Sequence, residues 1–156
     1  MFGFLKRKQR EILSPVDGQV VDIDVVPDEV FSKKMVGDGV ALKPVNGTFC
    51  APIDGTVSKI FSTNHAFSIK NDKDLEVMVH IGLETVALDG KGFERLVNEG
   101  DKVKAGDPVI EADLAYIAQY AKDTITPVII SEESDVKKIE KKLRVVKQGD
   151  GIMEVN

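Results

Sequence analysis

Short turn motifs recur along this sequence and leave room only for short strands between them. Residues 14–23 (SPVDGQVVDI) are echoed by residues 51–60 (APIDGTVSKI), each with a proline, an Asp-Gly turn and an apolar-rich run. A second motif, Gly-Asp-x-Val or Gly-Asp-x-Ile, begins at Gly37, Gly100, Gly106 and Gly149. Because such dipeptides reverse the chain, the pattern predicts an all-β fold, an antiparallel β-sandwich or barrel with Greek-key-like connections and a few short helices.

Helical periodicity is scarce. The best candidate has Asp113 as its N-cap and runs to about Ala121, with apolar residues on one face. Two weaker candidates cover residues 92–98 and 134–142. No linker interrupts the chain, so we predict a single domain over residues 11–156. Residues 1–10 read as a basic, amphipathic tail, which is either frayed or rests weakly on a membrane surface.

Charge and cysteine content exclude several classes of protein. The chain has 21 basic and 26 acidic residues and a net charge of -5, whereas nucleic-acid-binding domains usually carry a basic face. Cys50 is the only cysteine, so no internal disulfide can form and a reducing, cytoplasmic compartment is expected. No segment approaches the roughly 18 apolar residues of a membrane span.

The only two histidines lie in two strand-like runs joined by a polar turn. Residues 63–70 read TNHAFSIK, residues 75–82 read LEVMVHIG, and NDKD lies between them. If that four-residue turn closes symmetrically, Lys70 pairs with Leu75 and His65 pairs with His80. The two imidazoles would then face each other, with Cβ atoms about 5 Å apart.

Alternation along the strands predicts which face the histidines share. Val77, Val79 and Ile81 form the core face. The other face carries Thr63, His65, Phe67, Met78 and His80, a shallow apolar surface with two polar centres.

Two facing imidazoles support several kinds of chemistry. A neutral imidazole nitrogen is a nucleophile toward phosphorus, and a second imidazole can donate a hydrogen bond to the phosphoryl oxygens. A surface pair with no function is an equally simple interpretation. His65 and His80 could also hold a zinc ion, although two ligands need a partner's carboxylate to complete the site.

Family motifs surround both histidines. Residues 61–68 (FSTNHAFS) and 79–86 (VHIGLETV) resemble the two histidine motifs of the glucose-type enzyme IIA family of the bacterial phosphoenolpyruvate-dependent sugar phosphotransferase system. Residues 26–31, 35–40, 100–103 and 126–128 are also similar, and the resemblance covers about residues 12–155. Met78, Ile81 and Glu84 depart from residues common in the family but keep the apolar or acidic character.

The resemblance implies a phosphotransferase component that works through a phosphohistidine. His80 would be the phosphoryl acceptor, His65 its essential neighbour, and Thr63 the support of His65. The donor would be the phosphocarrier protein HPr and the acceptor a sugar-specific IIB domain, with no cofactor required. Other enzymes or permeases could be regulated by binding. We expect a free-standing monomer, and the sequence does not name the sugar.

The resemblance also implies a docking surface for both partners, with an apolar part and an acidic rim. The apolar residues would be Val30, Phe31, Val36, Phe61, Phe67, Met78 and Val86, and the acidic residues Asp28 and Glu84.

Two other kinds of β domain remain as alternatives. A biotin or lipoyl carrier displays a lysine at a hairpin tip, and Lys73 lies at such a tip, but its aspartate neighbours do not fit that motif. A zinc peptidase with a similar β core needs further metal ligands, typically a His-x-His pair, which this sequence lacks.

Overall fold

Residues 10–156 are described by the structure, which is a computed structural model. In this range the chain forms fourteen strands and two short α-helices. The first seven strands are β1 (Arg10–Leu13), β2 (Gly18–Asp22), β3 (Gly37–Pro44), β4 (Thr48–Cys50), β5 (Gly55–Ile60), β6 (Ala66–Lys70) and β7 (Glu76–His80). The other seven are β8 (Phe93–Arg95), β9 (Lys102–Val103), β10 (Pro108–Ala112), β11 (Thr126–Ser131), β12 (Ile139–Lys141), β13 (Val145–Val146) and β14 (Gly151–Val155). The helices are α1 (Glu29–Ser32) and α2 (Leu114–Tyr120), with 3₁₀ turns at Ile23–Val25 and Thr85–Leu88.

The repeated turn motifs mark the starts of strands, as predicted. The two Asp-Gly motifs lead into β2 at Gly18 and β5 at Gly55, while the Gly-Asp motifs precede or open β3, β9, β10 and β14. A Cβ atom at Gly18 would lie 2.3 Å from the Lys43 carbonyl oxygen, and one at Gly55 would lie 2.4 Å from that of Lys70. Glycine is therefore required at both positions by the close approach of a neighbouring strand.

The strands pair antiparallel in three sheets, which confirms the predicted fold class. Within residues 10–156 the largest sheet has the order β13-β2-β3-β11-β7-β6-β5-β9, and the two others have the orders β1-β14-β12 and β4-β10-β8. Strand β11 lies between β3 and β7, so the order is not sequential. The sheets are open, and no closed barrel is found in the part of the chain described.

Apolar clusters cover both faces of the large sheet, and this places the histidines. Val77 and Val79 of β7 point into the main core. Met78, between them, packs against a smaller second cluster that includes Phe31, Leu83 and Ile129. Because side chains alternate along a strand, His80 lies on the same outer face as Met78.

Helix α2 was predicted correctly, and the two weaker helix predictions were wrong. The Asp113 side chain accepts a hydrogen bond from the Tyr116 amide, and the helix ends before Ala121. Residues 93–95 instead pair with β10, and residues 139–141 pair with β14. An apolar spacing that fits a helix was overridden in both places by an open strand edge that needed a partner.

Of the predicted N-terminal tail, residues 1–10, the structure describes only Arg10. Residues 1–9 lie outside the described residues. Arg10, which the prediction placed in the tail, pairs with Val155 as the first residue of β1. No helix within residues 10–156 is long and apolar enough to cross a membrane.

Candidate active site

His80 ends strand β7 with one ring nitrogen committed to the backbone. Its Nδ1 lies 2.8 Å from the carbonyl oxygen of Gly82. A carbonyl oxygen only accepts hydrogen bonds, so Nδ1 carries the proton of the neutral ring. The Nε2 atom is left with its lone pair, which is the form that a nucleophile needs.

His65 reaches His80 from a loop rather than from a strand. It directly precedes β6 and follows Asn64, which has a left-handed backbone with φ of 60°. The His65 carbonyl accepts a hydrogen bond of 2.8 Å from the Ile81 amide. Its ring lies edge-on to the His80 ring, with centroids 4.9 Å apart and an interplanar angle of 79°. The expected pair of neighbouring imidazoles is therefore present.

The predicted strand register was wrong by one residue. Ala66 pairs with His80, and Lys70 pairs with Glu76, so the turn has five residues rather than four. A slip of one residue exchanges the two faces of a strand. Phe67 and Ile69 consequently lie in the main core, while Ala66 and Ser68 lie beside β7 on the face of His80.

Asn71 accounts for the longer turn. Its side-chain oxygen accepts hydrogen bonds of 3.0 Å from the amides of Lys73, Asp74 and Leu75. Its own amide donates to the Leu75 carbonyl at 2.9 Å. Side-chain oxygens of asparagine commonly stabilise turns in this way. Burial of Phe67 and Ile69 favours the same register.

The Thr63 side chain lies against the His65 ring. The Thr63 hydroxyl lies 2.5 Å from His65 Nδ1. If that hydroxyl donates, His65 carries its proton on Nε2 and can donate a hydrogen bond away from the threonine. The three residues of the predicted catalytic set are thus brought together.

Two phenylalanines extend the imidazole pair into a row of four rings. The Phe31 ring lies 5.0 Å from the His80 ring. The Phe61 ring lies 5.3 Å from the His65 ring, edge-on. These contacts hold both imidazoles in an apolar setting.

Both imidazoles are neutral at pH 7. Burial lowers the pKa of His65 to about 4, and the neighbouring His80 adds to the effect. Burial also lowers the pKa of His80, against the hydrogen bond to Gly82 and the charge of Asp28, which raise it. Removal of water disfavours the charged form of an imidazole.

The predicted docking residues divide into exposed and buried groups. Val30, Val36 and Val86 are exposed by 42%, 39% and 58%, and Phe61 and Met78 are half-buried. Two of the predictions need correction. Phe67 is fully buried because the register turns it into the core, and Phe31 is buried against the His80 ring as a wall of the site.

The two predicted acidic residues differ in their local roles. The Asp28 carboxylate caps α1 by accepting a hydrogen bond of 2.9 Å from the Val30 amide. Its charge also acts on His80. Glu84 is exposed and has a left-handed backbone with φ of 58° at the start of the second 3₁₀ turn.

Two further exposed apolar residues, Val25 and Met35, were not among the predicted docking residues. Val25 and Met35 are exposed by 58% and 62% and flank the segment of α1. With Val30, Val36 and Val86 they form what we call the apolar rim. Exposed large apolar side chains are candidates for a protein-binding surface. Neither Val25 nor Met35 lies in an element long enough to show a periodic pattern, so the sequence alone does not mark them.

A metal site within this chain would have few ligands. No group of three or more His, Cys, Asp or Glu side chains within residues 10–156 is placed to hold a metal ion. His65 and His80 could offer at most their two Nε2 atoms. Their environment is apolar, and further ligands would have to come from elsewhere.

Comparisons with known proteins identify similar sequences. The family described as phosphoenolpyruvate-dependent sugar phosphotransferase system, EIIA 1, matches residues 10–136. A "PTS system glucose-specific EIIA component" of Haemophilus influenzae is 44% identical over 155 residues, which cover 98% of this chain and 93% of that protein. A "PTS system N-acetylglucosamine-specific EIICBA component" of Escherichia coli is 51% identical over 125 residues, which cover 80% of this chain and 19% of that protein.

A solved structure shows the same fold. The "glucose permease IIA from Mycoplasma capricolum" superimposes with a TM-score of 0.92 and is 38% identical in sequence. The match covers 99% of both chains.

Proposed function

The chain belongs to the EIIA 1 family of the phosphoenolpyruvate-dependent sugar phosphotransferase system, and from this premise we propose that it carries a phosphoryl group on His80 Nε2. As a component of that system it takes part in phosphoryl transfer during sugar uptake. The donor would be phosphorylated HPr, and the acceptor would be a sugar-specific IIB domain. Both transfers would take place in the cytoplasm, where the chain would bind each partner.

A single observation carries the proposal: the hydrogen bond between His80 Nδ1 and the Gly82 carbonyl leaves Nε2 unprotonated beside a second imidazole. Nε2 would attack phosphorus as the bond to the donor breaks, while the proton stays on Nδ1. The second transfer would reverse these roles, with His80 as the leaving group. Lowered pKa values keep both rings neutral and competent at pH 7.

His65 would stabilise the phosphoryl group rather than carry it. With Nδ1 held by Thr63, its Nε2 proton could donate a hydrogen bond to an equatorial phosphoryl oxygen. Phosphoryl transfer depends mainly on positioning and on compensation of charge at those oxygens. The buried position of His65 would keep that donor fixed.

The apolar rim would exclude water while the partner is docked. Its residues come from the 3₁₀ turn Ile23–Val25, from α1 and the residues after it, and from the 3₁₀ turn that follows Gly82; Phe31 of α1 contacts the His80 ring. Asp28 and Glu84 would meet arginines of the two partners. Curated relatives with IIC, IIB and IIA parts in their names are consistent with an acceptor of the IIB type. The same surface could serve regulatory binding to other proteins.

The direct test is to identify the phosphorylated residue. Purified chain is incubated with phosphorylated HPr and mapped by mass spectrometry under conditions that preserve phosphohistidine. We expect phosphate on His80 and none on a His80→Gln variant. Phosphate on His65 alone, or equal labelling of the variant, would refute the assignment.

Metal dependence separates this proposal from a zinc-binding β domain. A zinc ion on Nε2 would occupy the lone pair that attacks phosphorus. Transfer from purified phosphorylated HPr is therefore expected to continue after chelation and to slow when zinc is added. Loss of transfer on chelation, restored by zinc, would assign the histidines to a metal instead. The family membership sets aside the biotin or lipoyl carrier.

A further inference from the structure

The loop that presents His65 is held in an uncommon conformation. It runs from the end of β5 at Ile60 to the start of β6 at Ala66, and the Phe61 amide closes it by donating to the Ala66 carbonyl at 3.0 Å. The Asn64 amide donates to the Phe61 carbonyl at 2.7 Å. Asn64 itself has φ of 60°, in the left-handed region that residues other than glycine seldom adopt.

Arg95 reaches this loop from a different part of the chain. Its Nε donates a hydrogen bond of 2.8 Å to the Asn64 side-chain oxygen. Its Nη2 lies 3.4 Å from the Phe61 carbonyl oxygen. The guanidinium thus spans both ends of the turn between Phe61 and Asn64, which the rigid fork of arginine suits and the single ammonium of lysine does not.

The backbone of Arg95 belongs to strand β8. Arg95 of β8 pairs with Ile110 of β10 in the sheet of order β4-β10-β8. From the same segment, the Glu99 carboxylate accepts a hydrogen bond of 2.9 Å from the Ile60 amide, where the loop begins. Residues 95–99 therefore hold the loop at its start and at its turn.

We propose that Arg95 is a positioning residue for His65, whose guanidinium fixes the turn from Phe61 to Asn64 and so brings the His65 ring beside His80. Within residues 10–156, the hydrogen bonds of the Arg95 side chain go to Asn64 and Phe61 and not to either imidazole. Arg95 acts through Asn64, which directly precedes His65. The geometric part stands by itself, and its kinetic consequence rests on the proposed function.

Loss of Arg95 should loosen His65 without removing it. The turn would lose two hydrogen bonds, and the Asn64 backbone could leave the left-handed region. Burial keeps the pKa of the His65 imidazole at about 4. A ring that spends more time in water should titrate closer to its ordinary pKa of about 6.5.

The test compares Arg95→Ala with the unaltered chain in two measurements. Titration of the His65 ring by NMR should show its pKa raised in the variant. Transfer from phosphorylated His80 to a IIB domain should slow about 10- to 100-fold, as expected for a displaced catalytic group. Arg95→Lys, which keeps the charge but not the fork, should fall between the two.

Two further variants give the test its controls. Glu94→Ala, at an exposed neighbour on the same strand, should change neither measurement. Asn64→Gly removes the acceptor of Arg95 while leaving the turn able to form, so it should shift the His65 pKa in the same direction. The combined Arg95→Ala and Asn64→Gly variant should be no worse than the stronger single variant. If Arg95→Ala does not fold, Asn64→Gly alone decides.

The outcomes distinguish this inference from the proposed function. If the unaltered chain accepts no phosphate on His80, the proposed function fails, and the NMR titration still tests the position of His65. If the unaltered chain transfers phosphate and the variants keep both its rate and the low pKa of His65, Arg95 has no positioning role. Additive effects of the two substitutions would also overturn it.

Discussion

At the scale of the residue, the two histidines are chemically different although their rings are neighbours. His80 hydrogen-bonds to a backbone carbonyl, which fixes the proton on Nδ1. His65 hydrogen-bonds to a hydroxyl, which can donate or accept and so permits the opposite tautomer. In the proposed mechanism the His80 ring would act as the nucleophile and the His65 ring as the hydrogen-bond donor.

The different roles lead to different effects of substitution. His65→Gln should still accept phosphate from phosphorylated HPr, because His80 Nε2 is unchanged. Its onward transfer to a IIB domain should fall by about 10²-fold or more, the usual cost of removing one fixed donor to a transition state. Thr63→Val keeps the His65 ring but removes its hydrogen-bond partner, so it should slow the same transfer to a IIB domain about tenfold. Rapid-quench measurement of both transfers checks this. If His65→Gln transfers phosphate to the IIB domain as fast as the unaltered chain, His65 has no role in the mechanism.

Burial of His65 also makes the stability of the fold depend on pH. The folded pKa of about 4 lies below the ordinary value of about 6.5, so the unfolded chain binds more protons between these values. Stability should therefore fall as the pH falls through this window. From pH 7 to pH 5 the loss from this one group should be about 2 kcal/mol.

Denaturant unfolding of the unaltered chain and of His65→Gln measures this contribution. Glutamine does not titrate, so the variant should lose less stability between pH 7 and pH 5. Asp28 and the other distant ionisable groups remain in both proteins, and their contributions should cancel in the comparison. The difference that remains includes the interaction between His65 and His80. Identical losses in the two proteins would mean that His65 is not buried as the structure shows.

At the scale of the element, the hairpin shows what a strand pattern can and cannot specify. The two strands, the polar turn and the closeness of the histidines could all be predicted from sequence. The register could not, because it depends on whether Asn71 binds three amides and on which side Phe67 finds the core. The rings meet nevertheless, since the left-handed Asn64 turns the chain just before β6.

The Asn71 turn should therefore contribute to stability. Asn71→Ala removes the acceptor of three amides, which water can replace only in part. We expect a loss of about 1–2 kcal/mol, measured by urea unfolding. Asp72→Ala, at an exposed neighbour in the same turn, is the matched control and should cost less than about 0.5 kcal/mol. Equal stability of the two variants would show that the strands, not the turn, set the register.

Val30 and Phe31 are adjacent in helix α1 but differ in burial, so we expect substitutions of them to have different effects. Phe31 is 6% exposed and packs in the second cluster, whereas Val30 is 42% exposed. Phe31→Ala should cost about 3 kcal/mol through the cavity it leaves. Val30→Ser should leave the melting temperature nearly unchanged but weaken binding to HPr. If Val30→Ser lowers the melting temperature as much as Phe31→Ala, Val30 contributes to packing and its proposed docking role is wrong.

At the scale of the whole molecule, local motifs predicted the class of fold but not its assembly. Turn motifs recur in the sequence and identify where strands begin. Their pairing joins residues far apart, such as β11 between β3 and β7, and no local pattern encodes such a partner. Helix α2 was predictable because its cap and period lie within nine residues, while β8 and β12 were missed because their partners lie elsewhere in the chain.

An ion-pair cluster links the sheet that contains β12 to the large sheet that contains β2 and β3. The Lys141 ammonium, on β12, lies 2.8 Å from a carboxylate oxygen of Asp22 on β2 and 2.8 Å from one of Asp38 on β3. The hydrogen bond with Lys141 lowers the pKa of Asp22. Although burial acts in the opposite direction, hydrogen bonds and the charge of Lys141 also lower the pKa of Asp38.

These shifts predict how the cluster responds to pH. Carboxylates with lowered folded pKa values stabilise the fold above their ordinary pKa near 3.8, and this contribution is lost as the pH falls through the folded values. Lys141→Met removes the cation that the two acids share, so their pKa values should rise, although Lys34 remains 3.6 Å from Asp38. The variant should be less stable by about 1–2 kcal/mol at pH 7, a modest figure because both acids are partly exposed. The deficit should shrink by pH 4, as Asp22 and Asp38 of the variant take up protons more readily. Urea unfolding at both pH values measures it against Lys138→Met, an exposed lysine just before the same strand, which should show little change at either pH. A deficit of the same size at pH 7 and pH 4 would mean that Lys141 contributes by packing of its alkyl chain and not by its charge.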